Sequence, residues 1–417
     1  MAILVGKFYI FFLAVILTIY YIRHLIFTIN RAFGRQRIFY HDIIDSELPY
    51  VSILIPMHNE ENVAKDILDL LVNVDYPKEK LEIIPINDHS EDSTPEILET
   101  YTLMYPFIKP LHRNNGRRGK PSALNDAIKI AEGEIILVFD ADYLPSKGII
   151  RDLVVAFKNP EVGAVMGRVV PLNTDKNFLT RILDLERTAG YQVDQQARFN
   201  LRLIPQYGGT VGGVRKDLLE KYGYFDENIL AEDTELTFRL YINGWKVAYS
   251  NRTECYEEVP EDWRIRGRQI RRWSRGHNQV MFKYIIPLIR SKNLNIWEKV
   301  DGVLLLCVYL IPFLLLLGII DSLFLFFAGE MAIISSIFFF LFISSTNTFG
   351  NFAPFYQIVL ASFLDGAIYR IRLIPLILFV FFFNMYYISL GFWDALTWLI
   401  FRRNITWEKT PRFRNGN

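Results

Sequence analysis

Cysteine is nearly absent from this sequence. Cys255 and Cys307 are the only two among 417 residues, too few and too far apart for a disulfide framework or a cysteine-based zinc site. Such scarcity suits a reducing compartment. Glycine-rich phosphate loops are missing too. No G-x-G-x-x-G follows the first strand candidate, and no G-x-x-x-x-G-K-[ST] occurs anywhere, so dinucleotide-binding and P-loop chemistry lose support. There is no short-period repeat, and no low-complexity segment apart from apolar ones. Charge of one sign is lacking as well. The net value of +1 says little, because a charged middle and two apolar ends average out.

What is abundant is apolar surface. Apolar residues make up 51% of the chain and phenylalanine alone occurs 33 times, most of it toward the two ends. The run from Phe8 to Phe27 is about as long as a bilayer is thick. Its charges, Arg23 and His24 and then Arg31, Arg35 and Arg37, come at its far end and after it. A cleaved signal peptide would carry its charge in front and have a shorter apolar core. Residues 1–30 are therefore expected to be an uncleaved transmembrane anchor, with the following domain cytoplasmic by the positive-inside rule. At the other end, 299–403 is expected to form a membrane and interfacial helix bundle. Spans are expected over Val303–Phe327 and Met331–Ser344, and Phe352–Tyr369 is mixed and interfacial. Leu373–Phe401 makes one tilted span or two short, broken ones. Residues 404–417 form a basic tail, placed in the cytoplasm by the same rule, so an even number of crossings separates it from the middle domain.

Between the ends, 49–295 reads as an α/β domain. Val51–Ile55 and Leu81–Ile86 are strand candidates, followed by helical spacing over Glu60–Val74 and by turn and cap residues at Ser90–Thr94. Lys120–Ile130 reads as a further helix before the strand Ile135–Phe139. This alternation is the grammar of a doubly wound sheet. Two stretches, 177–203 and 262–290, are amphipathic and rich in arginine and aromatics, which suits helices lying at a membrane surface. For 177–203, a helix packed plainly on the sheet fits nearly as well.

The strand Ile135–Phe139 ends in Asp140 and Asp142. Aliphatics on both faces point to a strand buried in a parallel sheet, and such sheets bind ligands beyond their carboxyl ends. In an extended segment i and i+2 share a face, so both carboxylates can meet one hard cation, Mg²⁺ or Mn²⁺. Solvated aspartates at a strand end are the plain alternative. Asn59 and Glu60, then Asp88, supply polar groups at the ends of the other strands. Carboxylates at several strand ends point to a ligand bearing a base, a sugar and phosphates.

In sequence order come Val51–Pro56 with Asn59-Glu60, Asn87-Asp88 through Thr94, Gly119-Lys120 with Ala123-Leu124-Asn125, Asp140-Ala141-Asp142, Ala231-Glu232-Asp233 and Gln269-Ile270-Arg271-Arg272-Trp273. Together they resemble glycosyltransferase family 2, the inverting nucleotide-sugar transferases, and the last, a Q-x-x-R-W motif, resembles that of its membrane-embedded processive β-glycan synthases, a likeness that extends to the flanking apolar segments. The resemblance implies a GT-A domain, a doubly wound mixed sheet, inserted between transmembrane α-helices. It implies that Asn59, Glu60, Asp88 and Lys120 contact the nucleotide, with Gln269 and Arg272 at the diphosphate. Asp140 and Asp142 would hold Mg²⁺ or Mn²⁺, with Asp140 also at the diphosphate. Asp233, beside Glu232, would be the general base. Trp273 would stack on the acceptor, with Gly209 and Thr210 of a glycine-rich acceptor loop, Gly208–Gly213, beside it. Each residue has a plainer reading: Asp88 as a turn aspartate, Asp233 as a helix N-terminal acid, the glycine run as a flexible turn. Trp407-Glu408-Lys409-Thr410 resembles the short C-terminal motif of these synthases. A cyclic-dinucleotide sensor domain of the bacterial cellulose synthase kind is not expected.

The resulting expectation is an integral inner-membrane enzyme. It would polymerise a β-linked polysaccharide at the cytosolic face and help translocate it, with a homo-oligomer or partner completing a channel from so few spans. UDP-glucose is favoured as donor, with GDP-mannose and UDP-N-acetylglucosamine as further options. Nucleic acid is not an expected partner, because bilayer spans flank the basic segment. The alternative is a non-processive transferase loading one sugar onto a polyprenyl phosphate or other lipid. A transporter or receptor would need polar pathway residues in its spans, and Asp321, Glu330 and Asp365 are few.

Overall fold

A computed structural model describes residues 1–38, 43–330 and 354–401. The expected span Met331–Ser344, the basic tail 404–417 and the Trp407–Thr410 motif lie outside the described residues.

The chain opens with helix α1, Ala2–Phe33. Strand β1 follows, Val51–Met57, then helix α2, Ala64–Val72. The helix expected from Glu60 starts at Ala64 because the preceding residues serve loop contacts: the Glu60 amide donates to Thr94 Oγ1 at 2.9 Å. Next come β2 (Leu81–Asp88), α3 (Thr94–Met104), β3 (Leu111–Arg113), α4 (Lys120–Ile130) and β4 (Ile135–Val138). Strand β5 (Leu144–Pro145), helix α5 (Ile149–Val154) and strand β6 (Val162–Pro171) follow. After them come α6 (Phe178–Thr188), α7 (Gln196–Asn200), β7 (Gly212–Arg215), α8 (Lys216–Tyr222), α9 (Glu232–Ile242) and β8 (Lys246–Glu257).

The strands form one sheet in the order β3-β2-β1-β4-β7-β6-β8-β5. Strands β3, β2, β1 and β4 run parallel, the pairing that helical crossovers between strands produce. Strand β7 enters antiparallel to both β4 and β6, so the sheet is mixed. Two expectations are corrected here. Strand β4 is parallel to one neighbour only, and Gly212 and Gly213, expected in a loop, belong to strand β7. Alternation along β1 splits the core into two layers. Ile53 and Ile55 pack with Ile67, Leu68 and Leu71 of α2, while Leu54 packs with Ala123, Leu124 and Ile128 of α4. Full burial of each such side chain contributes about 1.5–3 kcal/mol.

A long helix, α10 (Trp263–Arg290), follows the sheet. Then come α11 (Ile296–Leu306), α12 (Ile311–Phe327), α13 (Pro354–Leu364) and α14 (Ile374–Phe401). The run read as one apolar span from Val303 is broken: α11 and α12 meet at a 63° bend. Pro312, in the first turn of α12, has no N–H to continue the preceding ladder. Among the described residues, α1 and Phe379–Phe401 are long and apolar enough to cross a membrane, and the bent pair makes a third if it is one span. The stretch 374–401 is one helix rather than two. A buried ion network ties α1 to the domain. Arg23 Nε bonds Asp301 Oδ1 at 3.0 Å, and Arg198 Nη1 bonds Asp301 Oδ2 at 2.8 Å.

Candidate active site

Beyond the carboxyl end of β4 lies a cavity of about 760 Å³. Asp140 and Asp142 both line it. They are presented by a turn, closed by the Tyr143 amide on Asp140 O at 3.2 Å, and not by the extended strand expected from their spacing. The Asp140 amide donates to Thr210 Oγ1 at 3.0 Å, so the threonine of the glycine run holds the aspartate turn. Lys120 Nζ donates to Asp140 Oδ1 at 2.6 Å. Burial alone would lower the lysine pKa, but Asp140, Glu232 and Asp233 outweigh it and raise it. Lys120 thus feels both acidic pairs.

Glu232 and Asp233 open α9, where the helix N-terminus favours negative charge. Both line the cavity. Burial raises the Glu232 pKa, Asp233 raises it further, and Lys120 opposes them. Asp233 Oδ1 accepts from the Thr234 amide at 2.6 Å. Gly209, with φ 70°, passes so close that a Cβ there would sit 3.0 Å from Asp233 Cβ and 3.3 Å from its Oδ2. That approach, on a backbone in the left-handed region, requires glycine. Gly209 is therefore a wall behind Asp233, while its neighbours Gly208 and Thr210 line the cavity.

Gln269, Arg272 and Trp273 line the same cavity from α10. The Trp273 ring has the guanidinium carbons of Arg187 and Arg266 at 5.0 and 5.3 Å from its centroid. Both arginines are anchored. Arg187 pairs with Glu257 at 2.5 Å, and Arg266 pairs with Glu186 and donates to Gln269 Oε1 at 2.9 Å. Glu257 also accepts from the Tyr143 hydroxyl at 2.7 Å. Tyr143, Glu257 and Arg187 thereby connect the aspartate turn to the tryptophan.

Asn59, Glu60 and Asp88 sit at the ends of β1 and β2 but are not among the lining residues. Asn59 Oδ1 accepts from the Glu91 amide at 2.8 Å, and Glu60 is buried beneath the same loops. Asp88 is buried with Arg113 Nη1 at 2.5 Å, and it accepts from the Gly119 amide at 2.8 Å. It shapes the loop whose Arg117, Arg118 and Gly119 do line the cavity.

Residue patterns did not reveal several lining groups: Arg117, Arg118, Arg187, Glu257, His277 and Tyr309. For the arginine pair a signal existed, two cations between Gly116 and Gly119 just before a helix. The others meet only through folding. The His277 ring packs on Tyr309 at a tilt of 35°, centroids 4.6 Å apart, with Nε2 3.4 Å from Thr234 Oγ1. Burial pushes its pKa down to about 4, with Asp233 opposing, which keeps the ring neutral at pH 7.

Among the described residues, no group of three or more His, Cys, Asp and Glu side chains is placed to hold a metal. Two cavity-facing carboxylates are what a Mg²⁺- or Mn²⁺-like ion uses when substrate phosphates and water complete its shell. The residues fit that mode and not an all-protein cage.

Residues 52–223 match the family model for glycosyl transferase family 2. The chain is similar to a probable glycosyltransferase, YdaM, of Bacillus subtilis: 38% identical over 253 residues, 60% of each chain. It is also similar to the beta-monoglucosyldiacylglycerol synthase of a Nostoc species: 31% identical over 293 residues, 67% of this chain and 60% of the relative. The chain spans 60% of the length of these curated relatives. Among solved structures, the mannosyltransferase PcManGT from Pyrobaculum calidifontis, in complex with GDP-Man and Mn²⁺, aligns with a TM-score of 0.60 and 20% identity. That alignment covers 87% of this chain and 98% of the mannosyltransferase. At that identity the likeness establishes the fold, the GT-A architecture.

Proposed function

We propose, with support from the match of residues 52–223 to the family model for glycosyl transferase family 2, that the protein is an inverting, metal-dependent transferase. In this reading it adds hexoses from a nucleotide sugar, processively, to a β-linked polysaccharide at the inner membrane face. One observation carries the reading. Asp140, Asp142, Glu232, Asp233, Gln269, Arg272 and Trp273, distant in sequence, line one cavity. The proposed membrane placement has support from α1, Phe379–Phe401 and the bent pair α11–α12.

In the proposed reaction the acceptor hydroxyl attacks the anomeric carbon from the side opposite the diphosphate. The new C–O bond forms as the bond to the diphosphate oxygen breaks, and the configuration inverts. Asp233 takes the hydroxyl proton on Oδ2, because Oδ1 already accepts from the Thr234 amide. Asp140 and Asp142 would hold the divalent ion, which supplies charge neutralisation for the departing diphosphate. Lys120 and Arg272, which also line the cavity, add fixed positive charge. The solved mannosyltransferase of like fold was captured with Mn²⁺ and a nucleotide sugar, which supports this assignment of the turn. Trp273, held by Arg187 and Arg266, is the platform for the acceptor sugar.

UDP-glucose is the proposed donor, with support from the glucosyl transfer in the name of the Nostoc relative. That name also favours a second reading, transfer of one sugar to a lipid. The cavity reaches Arg23 and His24 of α1 and Gln357 of α13, so a hydroxyl at the membrane surface has a route in. Full-length protein in vesicles, given labelled UDP-glucose, UDP-N-acetylglucosamine or GDP-mannose, separates the readings. Long alkali-stable polymer is expected. A lipid-soluble monosaccharide would transfer the case to the second reading, and no turnover despite nucleotide binding would end both.

Trp273→Ala is expected to slow elongation about tenfold, roughly 1.4 kcal/mol of lost stacking, while donor hydrolysis by water stays near the native rate. Equal loss of both activities would count against a stacking role.

A further inference from the structure

Between α6 and α7, Ala189–Gln195 winds as a π-helix. Such segments are rare and concentrate at functional sites. Here the wider turn brings Gly190, Tyr191, Asp194 and Gln195 onto the cavity wall together.

Gly190 is the informative member. A Cβ built on it meets nothing within 4 Å, so packing does not demand glycine. It is not among the glycines with positive φ, so the backbone does not demand it either. Glycine in a helix is less favourable than alanine. What the missing side chain leaves behind is open cavity.

The position of that space follows from the neighbours on the same helical rod. Just before it, Arg187 lies over the Trp273 ring. Just after it, Asp194 pairs with Arg23 of α1 at 3.9 Å. Gly190 therefore stands between the proposed acceptor platform and the membrane helix. We propose that the backbone at Gly190 is the floor of a second acceptor subsite, one sugar ring beyond Trp273 toward α1. Its lack of a side chain sets the girth of the glycan that passes. The inference rests on the processive reading above.

The test uses full-length Gly190→Ala and Gly190→Leu in vesicles, with product length, donor hydrolysis, UDP affinity and melting temperature measured side by side. Gly190→Ala is expected to melt at or above the native temperature and to shorten the product modestly. Gly190→Leu, which adds four carbons, should reduce long product by at least about tenfold, the low end of what one surplus methylene costs in a pocket. In both, UDP affinity and donor hydrolysis should stay within about twofold of native. Native product length in both variants would overturn the subsite while leaving the processive reading intact. A lower melting point for Gly190→Ala would show that the glycine serves the fold and would also overturn it. Absence of polymer from the native protein would instead remove the reading on which the subsite rests.

Discussion

Asp233→Asn is expected to reduce sugar transfer by about three orders of magnitude, within the range that removal of a general base costs, with UDP affinity nearly unchanged. The substitution is close to isosteric. An asparagine Oδ1 still accepts from the Thr234 amide, as Asp233 Oδ1 does at 2.6 Å, so the opening turn of α9 keeps its geometry. What is lost is the oxygen able to take a proton. Neighbouring groups are poor substitutes. His277 is neutral, with its pKa pushed down to about 4 by burial, and Glu232 is biased by burial toward its protonated form. Labelled-sugar incorporation together with calorimetric UDP binding checks the prediction. Native turnover in Asp233→Asn would place the base elsewhere.

Asp301→Ala is expected to produce the largest loss of stability, about 3–5 kcal/mol, the usual cost of removing one partner from a buried ion network. Asp301 is 3% exposed and accepts from Arg23 at 3.0 Å and from Arg198 at 2.8 Å. Alanine leaves two buried guanidiniums without their shared carboxylate, beside the Phe27 ring whose centroid lies 4.5 and 5.5 Å from them. Asp194 offsets them only in part, since its single carboxylate, 2.9 Å from Arg198 and 3.9 Å from Arg23, carries one charge against two. The thermal midpoint in detergent should fall by several degrees, and α1 should become easier to cleave from the domain by protease. An unchanged midpoint would mean that apolar contacts alone dock α1.

Much of this was legible from residue order. The parallel half of the sheet is written in short aliphatic runs alternating with helical spacing, because burial on both faces and a 3.6-residue period leave distinct marks. Asp140 and Asp142 stood out because they end an apolar run, whereas Asp233 and Trp273 stood out only through the resemblance to family 2 motifs. The antiparallel strand β7 did not stand out. Its sequence, Gly212–Arg215, is glycine-rich and has little strand propensity, and its pairing with β4 and β6 is a non-local choice. The break between α11 and α12 was marked by Pro312, which sits inside an otherwise uniform apolar run.

The sequence by itself determined the fold class, the apolar ends and the residue types that serve the proposed transfer, because these depend on local periodicity and on chemistry carried by single side chains. Tertiary structure alone decided which of them share a cavity. It placed Asp88 behind the β3–α4 loop, put Arg187 and Arg266 over Trp273, and left the space beside Gly190 open. Those arrangements arise from contacts between segments far apart in the chain, and no local pattern encodes the distance between them.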